Sequence, residues 1–354
     1  MAYGAFSFMY GYPFKGISLK LTREFLGQNG LQYDEGIQFT VNLYDHDGEI
    51  IATGSLESNV IKCVAISEEY QGEGLSASVM THLMTYALQK GLDHLFIFTK
   101  PENKALFSGL GFYPVAATRE AVLMENVRDG LQNYLKSLPR PEGITDVGAI
   151  VVNCNPFTNG HLYLIEKAAS ACQWLHIFVL AEDKSVFRAE VRHRLVREGV
   201  SHIKNVTVHS TSDYLISSAT FPSYFIKERA DADKINCTLD LAMFRDHFAR
   251  ELGIRKRFVG TEPLCPVTAA YNSQMKEFFK GSGIEIIEVP RVTSGGEAIS
   301  ASRVRRLMAA GDYEGLKSLV PPVTYSYITS EEGRKLAETL RNNYLISPGL
   351  KPGA

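Results

Sequence analysis

The chain has 354 residues, of which 45% are hydrophobic, and it carries a formal net charge of −2. This length exceeds one typical hydrophobic core and suggests two domains. The balanced charge disfavours nucleic acid as a partner, and no apolar run approaches the roughly 20 residues that span a bilayer. The N-terminus lacks the pattern of a secretory signal and the five cysteines show no CxxC pairing, so we expect a cytoplasmic protein with reduced thiols.

The first third of the chain has the pattern of a sheet followed by one glycine-rich loop. Apolar and polar residues alternate over 37–44, 49–53 and 60–66, which predicts antiparallel strands. The loop Gln71-Gly-Glu-Gly74 comes next, and a helical pattern of apolar residues follows it up to Gly91. Backbone N–H groups in such a loop can bind a diphosphate, because no side chain covers them.

A proline-rich stretch separates two patterns of secondary structure. Pro139-Arg-Pro-Glu-Gly143 disfavours regular structure, and a helix is predicted just before it, near 131–138. We therefore expect a first domain at 1–128, a linker at 129–144 and a second domain at 145–354.

Beyond this stretch, strands alternate with helices. Such alternation favours an α/β fold in which helices cover both faces of a parallel sheet. The predicted strands cover 149–152, 175–180, 206–209, 256–259 and 284–289. His176 and His209 lie inside two of them, which favours packed imidazoles over ligands.

The turn that ends the first of these strands has residues suited to anion binding. In Asn155-Pro-Phe-Thr-Asn-Gly-His161, Pro156 fixes the turn and Gly160 lets the backbone pass close to a ligand. His161 lies where the next helix starts, and the unpaired N–H groups and the dipole of a helix start attract anions. The histidine can donate to a phosphate oxygen as charge builds there. Alternatively, it only caps its helix.

Two segments of this half resemble the signatures of the nucleotidyltransferase superfamily. Thr158-Asn-Gly-His161 resembles the (H/T)xGH motif, and Ile299-Ser-Ala-Ser-Arg-Val-Arg305 resembles the downstream ISSTxxR motif. The resemblance implies a Rossmann-like domain that binds ATP, with Thr158, His161 and Arg305 as catalytic residues. The ATP-binding residues that it implies are Asn155, Phe157, Thr158, Gly160, His161, Gly260, Glu262, Ser300, Ser302 and Arg305. Adenylyltransferases usually have an aspartate in place of Asn155, which hints at a different substrate subgroup.

The glycine-rich loop of the first half resembles the (Q/R)xxGxG/A motif of the GNAT acetyltransferases. The later segment Asn103-Lys-Ala-Leu-Phe-Ser-Gly-Leu-Gly-Phe-Tyr113 is similar to the end of those domains. The resemblance implies an α+β GNAT-like domain that binds a coenzyme A-like group. The residues implied are Gln71, Gly72, Gly74, Leu75 and Ser76. No residue of this domain has a sequence context that identifies it as a general base. The domain could therefore either transfer acetyl groups or only bind the coenzyme A-like group.

The combination of the two halves resembles the [citrate (pro-3S)-lyase] ligase family along almost the whole chain. Segments 181–187, 212–225, 259–263 and 288–291 are similar to family stretches. The resemblance implies a ligase that uses ATP and Mg²⁺ to adenylate acetate. It would then acetylate the thiol of the coenzyme A-like prosthetic group on the citrate lyase acyl carrier subunit, releasing AMP and diphosphate.

Three polar residues are predicted to contact acetate or the acceptor, and two of them have an alternative interpretation. Lys184 lies in a loop from which it can reach the phosphates. Arg192 can reach them too, but a run of arginines around it is equally typical of a solvated helix face. Asp213 can orient the nucleotide or the acceptor, or form an Asx turn. No His/Cys cluster has zinc spacing, so no metal bound by the protein alone is predicted.

Other functions use the same motifs. An adenylyltransferase acting on a phosphopantetheine-like phosphate would need the same phosphate site. The equivalent ligase for a malonate decarboxylase carrier is a second alternative. A regulator that binds acyl-coenzyme A without catalysis is a third, and the intact Thr158, His161, Ser300, Ser302 and Arg305 argue against it.

Overall fold

The computed structural model describes residues 6–181, 185–210, 213–215, 224–226, 229–262 and 266–346. The chain divides into two compact units. The first comprises Met1–Asn133 and Phe221–Ala242, and the second comprises Tyr134–Thr220 and Met243–Ala354. Within the described part of the chain, no helix is both long and apolar enough to cross a membrane.

The first unit contains one seven-stranded sheet. Its strands are β1 Ser7–Gly11, β2 Phe39–Tyr44, β3 Ile50–Glu57, β4 Val60–Ile66, β5 Phe96–Thr99, β6 Tyr113–Ala117 and β7 Val122–Glu125. Its α-helices are α1 Gly16–Gln28, α2 Leu75–Gln89 and α3 Lys104–Gly109, and the predicted helix before the proline-rich stretch is α4 Gly130–Ser137. The strand order is β1-β2-β3-β4-β5-β7-β6. All neighbours are antiparallel except β4 and β5, so the predicted antiparallel strands are confirmed.

Helix α2 packs on this sheet through the face that its sequence period predicts. Val79, Leu83 and Ala87 are all fully buried. A Cβ at Gly54 of β3 would lie 2.6 Å from a methyl carbon of Val79, so only glycine allows this close contact between helix and sheet. Burial of a valine or leucine side chain stabilises the fold by roughly 1.5–3 kcal/mol.

A segment far along the chain also belongs to the first unit. Tyr224 is buried, and its hydroxyl donates a hydrogen bond to the Phe98 carbonyl of β5. The Gln32 N–H donates to the Tyr224 carbonyl at 2.8 Å. These contacts explain why residues around Tyr224 group with the first unit although the strands before and after them belong to the second.

The second unit contains a five-stranded parallel sheet, as the alternating pattern predicts. Its strands are β8 Val147–Val152, β9 Trp174–Val179, β10 Val206–Ser210, β11 Ile254–Gly260 and β12 Glu285–Val289, followed by a small hairpin of β13 Thr293–Ser294 and β14 Glu297–Ala298. The helices after α4 are α5 Asn159–Ser170, α6 Ala189–Gly199, α7 Arg229–Met243, α8 Arg250–Leu252, α9 Pro266–Phe279, α10 Ala301–Ala310, α11 Tyr313–Leu316, α12 Pro322–Thr329 and α13 Glu331–Ile346. Of these, α7 lies almost entirely in the first unit.

The strand order of this sheet, β10-β9-β8-β11-β12, locates its ligand-binding edge. The chain adds β9 and β10 on one side of β8, then crosses and adds β11 and β12 on the other. Open parallel sheets bind ligands beyond the carboxyl ends of their strands at such a reversal. The crevice here lies beyond β8 and β11, which is where the turn containing His161 begins.

The two strand histidines are packed together, as predicted. His176 of β9 and His209 of β10 are buried, and His176 Nδ1 lies 2.8 Å from His209 Nε2. Burial lowers the pKa of His176 to about 4 and that of His209 to about 3. Both imidazoles are therefore neutral at pH 7 and pack against each other inside the sheet.

Candidate active site

The side chain of His161 is held by the first turn of α5. Thr158 precedes this helix in an extended conformation, and its Oγ1 accepts a hydrogen bond from the His161 N–H at 3.4 Å. In return, the Thr158 N–H donates to His161 Nδ1 at 3.1 Å, which closes a capping box. His161 therefore does cap its helix, but only through Nδ1. In the described part of the chain, no protein group forms a hydrogen bond with Nε2.

The protonation state of His161 follows from these contacts. Because a backbone N–H donates to Nδ1, the ring proton of the neutral imidazole belongs on Nε2. Burial, and secondly the positive charge of Arg291, lower the pKa of His161 to about 4. At pH 7 the residue is a neutral imidazole whose Nε2–H is available to donate to an anionic oxygen.

The start of α10 forms the opposite wall of the site. Ser300 caps this helix, with its Oγ accepting from the Arg303 N–H at 3.1 Å. Arg305 is 4% exposed. Its Nη1 donates to the Asn155 carbonyl, and its Nη2 lies 3.3 Å from Ser302 Oγ.

A second contact joins the two motifs through the backbone. A Cβ on Gly160 would lie 3.3 Å from the Ile299 carbonyl oxygen, so only glycine fits without displacing that carbonyl. Together with the contact between Arg305 and Asn155, this brings the starts of α5 and α10 side by side. The N–H groups of both helix starts can then act on one anion.

The side chains of two predicted ATP-binding residues, Asn155 and Phe157, stabilise the turn before α5 through contacts inside the protein. The Asn155 side-chain oxygen accepts a hydrogen bond from the Phe187 N–H at 3.0 Å. Phe157 is fully buried, and its ring leaves no room for a Cβ at Gly199. The same ring stacks on the imidazole of His161, with a distance of 6.2 Å between the ring centroids. Their side chains therefore hold the backbone and the imidazole in place.

The ends of β11 and β12 add an ion pair. Gly260 ends β11, and its carbonyl accepts from Asn272 Nδ2 at 3.0 Å. Close by, Glu262 forms an ion pair with Arg291, whose Nε also donates to the Thr261 carbonyl at 2.8 Å. Arg291 was not among the predicted site residues. The signals for it in the sequence are its place just after a predicted strand and its inclusion in the family-like stretch 288–291, whereas its pairing with Glu262 is a tertiary contact.

The three residues predicted to contact acetate or the acceptor differ in their surroundings. Arg192 is fully buried. Its Nη1 donates to the carbonyls of Asn153 and Leu180, both at 2.8 Å, and its Nε donates to the Phe187 carbonyl at 2.9 Å. In this position it clamps the segments after β8 and β9 together. Asp213 is exposed, and Lys184 lies outside the described residues.

The glycine-rich loop of the first unit is open. Gly72 and Gly74 have φ values of 90° and 78°, a left-handed region that favours glycine, and no heavy atom lies within 4 Å of the Cβ position at either residue. Gln71 is exposed at the loop start, and Leu75 and Ser76 begin the 15-residue helix α2. The loop therefore leads straight into a helix start whose first N–H groups have no partner within the helix.

These features define two classes of domain. The second unit is a nucleotidyltransferase-like α/β domain, and the first is a GNAT-like α+β domain. Residues 147–328 match the citrate lyase ligase C-terminal domain, and residues 9–112 match the acetyltransferase (GNAT) family.

Comparison with known proteins assigns the whole chain. It is 45% identical to the [citrate [pro-3S]-lyase] ligase of Klebsiella pneumoniae over 311 residues, which are 86% of this chain and 90% of that protein. The corresponding ligase of Escherichia coli K12 is 44% identical over 313 residues, 86% of this chain and 88% of that protein. The chain belongs to the citrate lyase ligase family, and it is a ligase.

More distant matches cover smaller parts of the chain. A phosphopantetheine adenylyltransferase of Shouchella clausii is 37% identical over 67 residues, 18% of this chain and 42% of that protein. Among solved structures, an acyl-CoA N-acyltransferase from Pseudomonas aeruginosa aligns with a TM-score of 0.30 and 16% identity, over 35% of this chain and 100% of that chain.

Proposed function

We propose that this ligase adenylates acetate with ATP and transfers the acetyl group to the thiol of the coenzyme A-like prosthetic group on the citrate lyase acyl carrier subunit. AMP and diphosphate are released. The observation that carries the proposal is the junction of the two motifs, in which Arg305 donates to the Asn155 carbonyl and Gly160 lies against the Ile299 carbonyl. Family membership supports the identity of the acceptor.

The chemistry needs a site of this kind because acetate is a poor acyl donor. In the first step a carboxylate oxygen of acetate attacks the α-phosphorus of ATP, and the bond to the β-phosphate oxygen breaks, which gives acetyl-AMP and diphosphate. Negative charge grows on the leaving diphosphate, where the His161 Nε2–H, the Arg305 guanidinium and the two helix starts would stabilise it. In the second step the carrier thiolate attacks the acetyl carbonyl, and AMP leaves.

The residues of the site fit a magnesium ion that arrives with ATP. Mg²⁺ binds phosphate oxygens and keeps several waters, so it needs few protein ligands. Glu262 is the carboxylate that the resemblance places in the site, and it already pairs with Arg291. We therefore expect the nucleotide phosphates and water to supply most of the ligands of the ion, and the ion to neutralise part of the triphosphate charge.

One assay separates the possible substrates. The enzyme is incubated with ATP and Mg²⁺, and diphosphate release is measured with acetate, with other short carboxylates and with 4'-phosphopantetheine, each with and without the holo-carrier subunit. We expect release that depends on acetate, and acetylated carrier when it is present. Release triggered only by 4'-phosphopantetheine would identify an adenylyltransferase instead, and acetylation of a malonate decarboxylase carrier alone would identify the related ligase.

We propose further that the 71–76 loop binds the diphosphate of the carrier's prosthetic group, through Gln71, Gly72, Gly74, Leu75 and Ser76. Both glycines have left-handed φ values, and the space beside them is open. A side chain at either position would fill that space and strain the backbone by about 1–2 kcal/mol. The first unit would then serve as a binding domain for the acceptor.

The double substitution Gly72→Val/Gly74→Val tests this role. We expect the KM for holo-carrier to rise at least about tenfold, the value of one hydrogen bond to a charged group, because the valine side chains would occupy the space that the diphosphate needs. Acetate-dependent diphosphate release without carrier should stay unchanged, because that step belongs to the second unit. Gly48→Val is the matched control, since Gly48 also has a positive φ, of 82°, and open space but lies in a hairpin turn. Unchanged carrier acetylation in the double variant would exclude the loop.

A further inference from the structure

A second arginine lies beside His161 at the ligand-binding edge of the sheet. Arg291 follows the last residue of β12 by two positions. The neighbouring Val292 carbonyl accepts a hydrogen bond from the Ile299 N–H at 3.0 Å. Ile299 in turn contacts Gly160, the residue before His161, through its carbonyl oxygen. Arg291 is therefore one residue away from the segment that packs against the turn containing His161.

The guanidinium of Arg291 is anchored on one side. Its Nε donates to the Thr261 carbonyl at 2.8 Å, and its Nη2 pairs with Glu262, whose side chain is 6% exposed. Its backbone N–H also donates to Thr261 Oγ1, at 3.2 Å. Within the described residues Nη1 has no partner, and the side chain as a whole is 28% exposed. The contacts of Nε and Nη2 therefore fix the guanidinium in an orientation from which Nη1 can reach a ligand.

The charge of Arg291 acts on the same space as His161. It is the largest contribution after burial to the lowered pKa of His161, so its field reaches the imidazole. A triphosphate bound beside His161 would lie next to the Glu262 carboxylate as well. Without Arg291, that nearly buried negative charge would repel the nucleotide. The ion pair removes this repulsion and leaves one guanidinium nitrogen for the phosphates.

We propose that Arg291 is a catalytic residue that binds the β- and γ-phosphates of ATP, with Thr261 and Glu262 as the positioning residues that aim it. The proposal rests on the proposed function, because it assigns a residue to the same adenylation site. The guanidinium donates to a non-bridging phosphate oxygen. As the bond between the α- and β-phosphates breaks, the negative charge on the leaving diphosphate increases, and the hydrogen bond from Arg291 to its oxygen strengthens.

Equilibrium binding tests the role without depending on turnover. The affinities of Arg291→Met for ATP, diphosphate and AMP are compared with those of the wild-type enzyme by calorimetry. We expect ATP and diphosphate to bind about 10- to 100-fold more weakly, the range for a hydrogen bond to a charged group, and AMP to bind as before. Lys276→Met is the matched control, because it removes a cation that pairs at 2.9 Å with Glu288 of β12, the strand that precedes Arg291. It should leave all three affinities unchanged.

Two further variants separate binding from folding. Arg291→Met removes the ion pair of the nearly buried Glu262 carboxylate, so Glu262→Gln/Arg291→Met, which removes both charges, should unfold closer to the wild-type temperature and still bind ATP weakly. Arg291→Lys keeps the charge and should lose less ATP affinity than Arg291→Met. An equal loss of ATP and AMP affinity, or no loss, in the folded double variant would overturn the proposal.

Failure of this proposal is distinguishable from failure of the proposed function. If the wild-type enzyme released no diphosphate with acetate, the proposed function would fail. The comparison of ATP affinity with AMP affinity in Arg291→Met would still decide the role of Arg291. If the wild-type enzyme adenylated acetate and the variants bound ATP normally, only the assignment of Arg291 would be wrong.

Discussion

Replacing His161 with alanine is expected to lower kcat for acetate-dependent diphosphate release by about 100- to 1000-fold, the range for removal of one donor to a developing oxyanion. The Nε2–H is the donor that the Thr158 capping box leaves for a ligand, and the neutral ring holds it in a fixed direction. ATP affinity should change much less than kcat, because the contact strengthens as charge grows on the leaving group. Single-turnover rates at saturating ATP measure this directly.

Two variants show whether the donor or the helix cap accounts for the loss. His161→Gln places an amide N–H near the position of Nε2, and it should recover part of the rate lost in His161→Ala. Thr158→Val removes the hydroxyl contact but keeps the backbone N–H that donates to Nδ1. It should therefore reduce kcat by about tenfold or less, since the net value of a single hydrogen bond is about 1 kcal/mol. A glutamine variant no faster than alanine, in a folded protein, would count against a donor role.

The pH dependence follows from the lowered pKa. Because the pKa of His161 is about 4, the ring stays neutral from pH 8 down to about 5, and its protonation should not affect kcat over that range. The unfolded chain, with the ordinary value of 6.5, takes up the proton first. The stabilising contribution of the neutral histidine is thus complete above pH 6.5 and is lost as the pH falls from there towards 4. An acid limb of kcat near pH 6.5 that vanishes in His161→Ala would contradict a neutral imidazole.

Local patterns predicted the parallel sheet and the turn after its first strand. The alternation of strands and helices indicated five parallel strands, and the position of Gly160 and His161 at a helix start indicated an anion site. The structure brings that turn and the segment around Arg305 together, which the resemblance to the nucleotidyltransferase superfamily implies and no local pattern shows. The sheet and the turn are readable because the periods of strands and helices, and the properties of helix starts, are local.

Other features depend on tertiary contacts that no local pattern encodes. Arg192 lies in a charged run typical of a solvated helix face, yet it is fully buried, because backbone carbonyls after β8 and β9 accept its hydrogen bonds. The pair of Glu262 and Arg291 joins the ends of two strands that are adjacent only in the folded sheet. The contact of Tyr224 with β5 joins two residues that lie 126 positions apart in the sequence. Helical and strand periods specify which face is buried, but not the partner that covers it.

Replacing Arg305 with methionine is expected to lower kcat/KM for ATP by about 100- to 1000-fold, because one substitution removes two kinds of interaction. The guanidinium can neutralise phosphate charge, and each charge-assisted contact contributes about 1.5–3 kcal/mol. It also joins the two motifs, since Nη1 donates to the Asn155 carbonyl and Nη2 lies 3.3 Å from Ser302 Oγ. Steady-state kinetics and ATP titration measure the loss. Arg306→Met is the matched control, because Arg306 is the next residue of the same helix and is exposed.

Arg305→Lys separates the charge from the junction. An ammonium keeps the positive charge but lacks the planar fork that reaches two acceptors in fixed directions, so the exchange is not conservative at such a site. If the junction matters, the lysine variant should bind ATP more weakly than the wild-type enzyme and gain less thermal stability when ATP is added. If charge alone matters, lysine should restore both values. Wild-type kinetics in Arg305→Met would mean that the two motifs do not share one triphosphate, and the adenylation site would then have to lie elsewhere in the chain.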